Sequence, residues 1–157
     1  MTDQRELVTT IMQDTKIAVL TYVDEAGRLV SVPMGTQDVE DPAEVHFITE
    51  GDSDKMDAIE ARPQVNVSYA SDSGWVSLSG VARREDDRDL LESLWSPATS
   101  AFVAGGKDDP NTTLLVVSAE TAAYWESPGK GEMVVELVKG VATDRPARPG
   151  DTGTVEL

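Results

Sequence analysis

The chain contains no cysteine and a single histidine, His46. These two absences exclude a disulfide framework, a thiolate metal site, a cysteine nucleophile and any site built from several histidines. No apolar run approaches the roughly 20 residues that a membrane-spanning helix needs. The N-terminus also lacks the basic and then apolar segments of a secretion signal. We therefore expect a cytoplasmic protein with no membrane-spanning segment.

Basic residues are scarce as well, because 13 lysines and arginines stand against 29 aspartates and glutamates, for a formal net charge of -16. Such a chain repels polyphosphate and anionic lipid, so we expect neither nucleic acids nor membrane surfaces as partners. A length of 157 residues with 39% apolar residues suits one compact domain built around one core.

Short β-branched and alternating segments make up most of the remaining pattern. The predicted strands are 16–22, 28–34, 45–49, 64–70, 74–83, 114–118, 122–126 and 133–138. The predicted helices are 2–13, capped by Thr2 or Asp3, 53–62, capped by Ser53, and 86–95. In the second strand Val32 and Met34 share one face, and Pro33 indicates an edge or a bulge because it cannot donate a ladder hydrogen bond.

Most of these strands follow one another through turns rather than through crossover helices. This order predicts a mainly β fold, an antiparallel β-barrel with peripheral helices, and not a doubly wound parallel sheet. We expect the barrel domain, with its N-terminal helix, to span residues 1–140. The glycine- and proline-rich residues 141–157 are expected to form an extended C-terminal tail.

Familiar cofactor and metal motifs are missing. The sequence has neither a Gly-x-Gly-x-x-Gly fingerprint after a strand nor a Walker A loop. The acidic runs 86–89 and 108–109 stand where helices begin, and capping explains them better than metal ligation. We therefore predict no metal site, and we assign no catalytic acid, base or nucleophile.

The loop between the strand 45–49 and the helix 53–62 is the most informative local signal. It holds the hydroxyls of Thr49 and Ser53 and the ammonium of Lys55 near a helix N-terminus, a combination that suits a phosphomonoester. Glu50, Asp52 and Asp54 crowd the same loop, and Ser53 is also an ordinary helix cap. The residues alone therefore leave a phosphate site and a simple helix start as alternatives.

Six segments, in this order, resemble the general stress protein branch of the pyridoxamine 5'-phosphate oxidase-like flavin proteins: IAVLTYVDEAGRLVSVPM, VHFITEGDSDKMDAIEARPQVNVSYA, GWVSLSGVAR, LESLW, GKDDP and AAYWESPGK. The resemblance covers about residues 5–140. It implies a six-stranded antiparallel split barrel that forms a homodimer. It also implies flavin mononucleotide (FMN) in two clefts at the subunit interface, with FAD or a deazaflavin as alternatives.

The resemblance also implies which residues contact the flavin. Those expected along the second strand are Val32, Pro33, Met34 and Gly35; those expected at the ribityl and phosphate end are Ile48, Thr49, Ser53, Asp54 and Lys55. Trp75 matches a position that contacts the ring or the ribityl chain, and Trp125 matches a tryptophan supplied by the partner subunit. Plain packing is the alternative role for either tryptophan.

Two departures from the family pattern limit the expected function. Val32 stands where the family commonly has an arginine, and no basic substrate pocket of the true oxidases is present in the C-terminal part. We therefore expect a flavin-dependent oxidoreductase of unknown substrate and not a vitamin B6 phosphate oxidase. The alternative is a flavin-binding or stress-linked dimeric protein without turnover.

Overall fold

The computed structural model describes residues 3–128 and 150–157. Its helices are α1 (Gln4–Asp14), α2 (Asp54–Ala61) and α3 (Arg88–Leu94), with a short 3-10 turn at Thr99–Ala101. Its strands are β1 (Ile17–Val23), β2 (Leu29–Gly35), β3 (Glu44–Glu50), β4 (Gln64–Ser71), β5 (Gly74–Glu85), β6 (Thr112–Glu126) and β7 (Thr152–Glu156).

Each helix begins at an oxygen-bearing cap. The Asp3 side chain accepts a hydrogen bond from the Arg5 amide, and the Ser53 hydroxyl accepts one from the Met56 amide. Asp87 caps α3, so that helix begins two residues later than its sequence pattern predicts. The predictions of Asp3 and Ser53 as caps are confirmed.

The strands form one antiparallel sheet in the order β2-β1-β4-β5-β6-β3, and β7 pairs with β6 beside this path. The prediction of a mainly β antiparallel fold with peripheral helices is confirmed. Pro33 lies in β2, an edge strand, where its missing N–H leaves no ladder bond unmade.

One strand prediction is wrong. The segments 114–118 and 122–126 are halves of the single strand β6, not two strands separated by a turn. A register shift between Ser79 and Gly80 of β5 lets β6 continue through this point. Glycine is required at position 80, because a Cβ there would collide with the Ser118 carbonyl oxygen.

The C-terminal segment is described from residue 150 onward. Thr152–Glu156 pair with Thr121–Trp125 of β6, and Val155 and Leu157 pack against the core. The strand predicted at 133–138 lies outside the described residues. The division of the chain at residue 140 stays a prediction.

The main core lies on one side of the sheet, which we call the inner face. Strands β1 to β6 contribute to it, and the alternate residues of β4 and β5 that face it are all buried: Val65, Val67, Tyr69, Val76 and Leu78. Helices α1 and α2 pack on the same core. The edge strands β2 and β3 approach each other, so the sheet curves around this core.

A smaller apolar cluster lies on the opposite side, which we call the outer face. There α3 covers Ile48 of β3 and two residues of β6, Leu114 and Val116. Leu91 of α3 is fully buried in this cluster, and three residues in or just after α3 are half-buried against it: Leu90, Leu94 and Trp95. Trp95 thus contributes to packing on the outer face.

Candidate functional site

The place where β2 and β3 approach each other, which we call the seam, brings together residues from two predicted groups. On β2 the seam contains Met34 and Gly35, and on β3 it contains Ile48 and Thr49. Since successive side chains of a strand alternate, Met34 and Thr49 face inward, and Gly35 and Ile48 face outward. The seam therefore has two chemically different sides.

Lys55, in the first turn of α2, occupies the inner side of the seam. Its ammonium lies 2.7 Å from the Thr49 hydroxyl oxygen and 3.6 Å from the Met34 sulfur. Met34 and Thr49 are both buried, and Lys55 itself is half-buried. The structure thus joins three of the predicted site residues in one contact group.

The charge of Lys55 is only weakly compensated. Among residues 3–128 and 150–157 its ammonium forms no salt bridge, and its near contacts are a neutral hydroxyl and a thioether. Burial lowers the pKa of Lys55 from its usual 10.5, and the more distant charge of Glu50 opposes that shift. A half-buried ammonium with neutral partners is suited to receiving an anion.

The loop before α2 is less open than its sequence indicates. The Asn111 carbonyl accepts a hydrogen bond from the Gly51 amide at 2.7 Å, and the Asn111 side chain accepts one from Asp52 at 2.7 Å. The Ser53 hydroxyl is occupied by the Met56 amide and by the Glu50 carbonyl. Sequence reasoning missed Asn111, because it is 59 residues away from Asp52 and no local pattern marks it.

Three other predicted residues lie apart from the Lys55 contact group. Val32 is half-buried against the main core, opposite Leu20 of β1, and Pro33 points outward. Asp54 is exposed and lines a separate cavity between α2 and the turn that joins β1 to β2. The structure thus places Val32 on the inner face with Met34, as strand alternation predicts.

The outer side of the seam opens into a cleft of about 440 Å³, which we call the outer cleft. Gly35 and Ile48 line it, together with Ile17 of β1 and Phe102. Phe102 was not among the predicted site residues. It follows the 3-10 turn in a stretch with no periodic pattern, so no sequence signal pointed to it.

The two predicted tryptophans are direct neighbours on the outer face. Trp75 of β5 pairs with Trp125 of β6, and their side chains are 42% and 45% exposed. Because they share one surface, a single ligand or partner surface could contact both of them together. The structure therefore links two residues that the sequence could only consider separately.

In two rows of paired residues that cross β2, β1, β4, β5 and β6, the outer face beside the tryptophans carries no charged side chain, although 27% of the residues in the chain are charged. One row of paired residues crosses five strands and ends beside the tryptophans: Pro33, Val19, Ser68, Ser77 and Ala123. The neighbouring row is also uncharged: Ser31, Thr21, Asn66, Ser79 and Thr121. In β7 the second row ends at the exposed Glu156. Several of these polar groups bond to one another, as in the 2.8 Å contact from the Asn66 amide to the Ser77 hydroxyl.

Two classes of site find no support within residues 3–128 and 150–157. No group of three or more acidic or histidine side chains there is arranged to hold a metal ion. No helix there is both long and apolar enough to span a bilayer.

Residues 3–147 match the family model described as pyridoxamine 5'-phosphate oxidase like. The chain belongs to the pyridoxamine 5'-phosphate oxidase-like family. It is similar to general stress protein 26 of Bacillus subtilis, with 25% identity over 80% of this chain and 98% of that protein. The predicted assignment to the general stress protein branch of the family is thereby confirmed.

Two solved structures extend the comparison. A protein described as general stress protein 26 of Jannaschia sp. CCS1 superposes with a TM-score of 0.76 at 25% identity, covering 99% of this chain and all of that one. The general stress FMN/FAD binding protein of Xanthomonas citri gives a TM-score of 0.65 at 25% identity, covering 78% of this chain and 87% of that one. Both solved structures are thus similar to this chain in overall fold.

Proposed function

We propose that the protein is a homodimer that binds FMN at the seam, with the phosphate on Lys55. The observation that carries the proposal is the half-buried Lys55 ammonium, whose hydrogen-bond partners among the described residues are the Thr49 hydroxyl and the Met34 thioether. A phosphate there would accept charge-assisted hydrogen bonds from the Lys55 ammonium. These bonds would replace the hydrogen bonds to water that the ammonium loses by being half-buried. The name of the similar Xanthomonas citri protein, an FMN/FAD binding protein, supports a flavin ligand.

The residues at the seam fit a flavin phosphate only in part. Lys55 and Thr49 offer a cation and a hydroxyl in contact with each other. Val32 brings no guanidinium, and the Gly51 and Asp52 amides are already bonded to Asn111. We therefore expect the phosphate to depend on Lys55 and on the remaining amides of the α2 N-terminus, and we expect a modest affinity.

The uncharged outer face supports the dimer. An exposed sheet face that combines two tryptophans with Val19 and self-bonded hydroxyls resembles the core of an interface more than a solvated surface. In a two-fold dimer across this face, the Trp75 and Trp125 pair of each subunit would cover the ligand of the other.

Bound flavin would supply hydride or electron transfer, and this chain would supply position and electrostatics. Lys55 would hold the phosphate, and the residues of the outer face would exclude water from the ring. We propose an oxidoreductase of unidentified substrate. Bleaching of the bound flavin by a nicotinamide donor without oxygen is the expected result, and no bleaching by any donor would favour a flavin-binding protein without turnover.

Replacing Lys55 tests the phosphate assignment. A charged hydrogen bond contributes about 1.5–3 kcal/mol, so Lys55→Ala should weaken FMN binding by about tenfold or more. Riboflavin, which lacks the phosphate, should bind both proteins alike. Fluorescence titrations of the two ligands measure the effect.

The matched control is Lys107→Ala, which removes an exposed lysine that contacts Glu92. It should leave both titrations unchanged. Equal losses of FMN and riboflavin affinity in Lys55→Ala would show that Lys55 supports the fold and not the phosphate. Mass spectrometry of the ligand released from purified protein then distinguishes FMN from FAD or a deazaflavin.

A further inference from the structure

A cavity of about 790 Å³ lies between α2 and the turn that joins β1 to β2, and we call it the hairpin cavity. Helix α2 contributes Asp54 and Asp57 to its lining, and the turn contributes Glu25. The paired residues Tyr22 of β1 and Val30 of β2 line it as well. A cavity of this volume accommodates a small organic molecule. Lys55 is not part of the lining, so the hairpin cavity is separate from the Lys55 contact group.

Hydrogen bonds hold the walls of the hairpin cavity in place. The Arg62 guanidinium, at the end of α2, donates to the Asp24 carbonyl of the turn at 3.0 Å. The Asp24 carboxylate accepts from the Arg28 amide at 2.8 Å and from the Arg28 guanidinium at 2.9 Å. The bond from the Arg28 amide lowers the pKa of Asp24 from its usual value. Asp24 and Arg28 thus neutralise each other, and the cavity is formed before any ligand arrives.

The other charged residues make the hairpin cavity negative. With the ion pair of the turn set aside, three carboxylates, Glu25, Asp54 and Asp57, face one guanidinium, that of Arg62. None of the three forms a salt bridge within the part of the chain that the structure describes. Asp54 and Asp57 are neighbours on one side of α2, and Glu25 belongs to the opposite wall. Two negative charges therefore lack a compensating cation.

Tyr22 provides independent evidence for a ligand. Tyr22 is only 8% exposed and lines the hairpin cavity. Its hydroxyl has no hydrogen-bond partner among residues 3–128 and 150–157. The hydroxyl is not sealed inside the core either, because within these residues only the Tyr124 hydroxyl is both fully buried and unpartnered. Since a largely buried hydroxyl normally has a partner, the free Tyr22 hydroxyl indicates a polar ligand in the cavity.

We propose that the hairpin cavity binds an aliphatic diamine, a dication with a short apolar spacer. One ammonium donates to Asp54 and Asp57, and the other donates to Glu25 across the cavity. The Tyr22 hydroxyl accepts a further hydrogen bond from the ligand. The spacer contacts the apolar part of the lining: Val30, Ala58 and Ala61. A dication matches the two uncompensated charges, whereas a monoamine leaves one of them and an anion is repelled. This site does not depend on flavin binding.

Calorimetric titration of the purified protein with 1,4-diaminobutane, at constant ionic strength, tests the proposal. We expect saturable binding at one site. The monoamine 1-aminobutane, which has the same carbon chain and one ammonium, should bind about fivefold more weakly or less. The uncharged 1,4-butanediol should not bind measurably. These two probes separate the effect of the second charge from that of the apolar spacer.

Substitutions on both walls of the cavity locate the site. Asp57→Asn and Glu25→Gln each remove one carboxylate and should weaken 1,4-diaminobutane by about threefold. Tyr22→Phe keeps the ring and removes the hydroxyl, and it should also cost about threefold. Glu60→Gln is the matched control, because Glu60 is an exposed carboxylate of α2 that does not line the cavity. Thermal melts should be similar for all four variants.

Three results would overturn the proposal: no saturable binding of 1,4-diaminobutane to the wild type, equally tight binding of 1-aminobutane, or cavity variants that bind the diamine as Glu60→Gln does. The phosphate proposal is tested separately, because Lys55→Ala should bind 1,4-diaminobutane no more weakly than the wild type. Failure of the phosphate proposal would appear as equal FMN affinities of Lys55→Ala and the wild type, with diamine binding intact.

Discussion

The two faces of the sheet handle polar groups in opposite ways. On the inner face, Lys55 is a charged group placed among buried neighbours, in contact with Thr49 and Met34. On the outer face, Ser77 and Asn66 are uncharged, half-exposed and bonded to each other. The inner face thus carries a charged group, Lys55, at a partly buried position. On the outer face, the half-exposed polar groups Ser77 and Asn66 carry no charge.

This difference assigns separate roles to residues that stand next to each other in the sequence. Met34 and Thr49 serve the charged side of the seam, while their neighbours Gly35 and Ile48 line the outer cleft. An anion suits the first side, and an apolar ring or a second subunit suits the other. Substitutions that place the same charge on either face test whether the roles are separate.

Ser77→Arg should have the largest effect, because it places a charge in the middle of the uncharged outer face. In a two-fold dimer the new guanidinium would meet uncharged groups and its own copy, and like charges at an interface cost several kcal/mol. We expect the dimer affinity to fall by at least about a hundredfold, with little change in the melting temperature of the monomer. Light scattering over a concentration series measures this.

Ser93→Arg, on the exposed side of α3, is the control and should leave the dimer intact. If Ser77→Arg stays dimeric at the same concentrations, the outer face is not the interface. A wild type that is monomeric at micromolar concentration, with FMN bound, would contradict the dimer altogether.

Val32→Arg places the same side chain on the inner face and should have an intermediate effect. Val32 packs against the main core opposite Leu20, so the guanidinium would lose water without a carboxylate partner. We expect a loss of about 1–3 kcal/mol in the free energy of unfolding without flavin. Urea unfolding measures it, with Val32→Met as the apolar control.

The family resemblance leads to the opposite expectation for Val32→Arg. An arginine there would add donors for the flavin and tighten FMN binding by about tenfold. Unchanged stability together with tighter binding would show that position 32 opens to the ligand. Lower stability without tighter binding would show that it belongs to the core.

Local patterns predicted much of this fold. The alternation in β4 and the caps Asp3 and Ser53 depend on residues close in sequence, and the structure confirms all of them. The continuity of β6 could not be predicted, because it depends on how β6 pairs with β5 on either side of the register shift at Ser79 and Gly80. The tryptophan pair likewise depends on the register between β5 and β6.

The candidate site also contains some residues that the sequence predicted and others that it could not predict. Thr49 and Lys55 are six residues apart, and a strand followed by a helix start indicated both. The Asn111 contacts and the Phe102 wall of the outer cleft depend on loops that meet the seam only after folding. The sequence alone could not indicate Asn111 and Phe102, because they lie in irregular loops that show no hydrophobic periodicity.

The pH dependence of stability should show the smallest effect, and it tests whether the Lys55 charge is held away from water. Burial lowers the pKa of Lys55 below 10.5 in the folded chain, so above that lowered pKa the unfolded chain binds more protons. Stability from this group therefore increases as the pH rises from the folded pKa towards 10.5. The free energy of unfolding of Lys55→Met lacks this contribution to its pH dependence. Loss of the contact with Thr49 changes that free energy by an amount that does not depend on pH. The difference between the urea-unfolding series of wild type and Lys55→Met isolates the contribution of Lys55, with Lys107→Met as the control.

FMN should reduce the pH dependence by raising the Lys55 pKa, and riboflavin should not. Identical slopes in wild type and Lys55→Met would mean that Lys55 is fully hydrated.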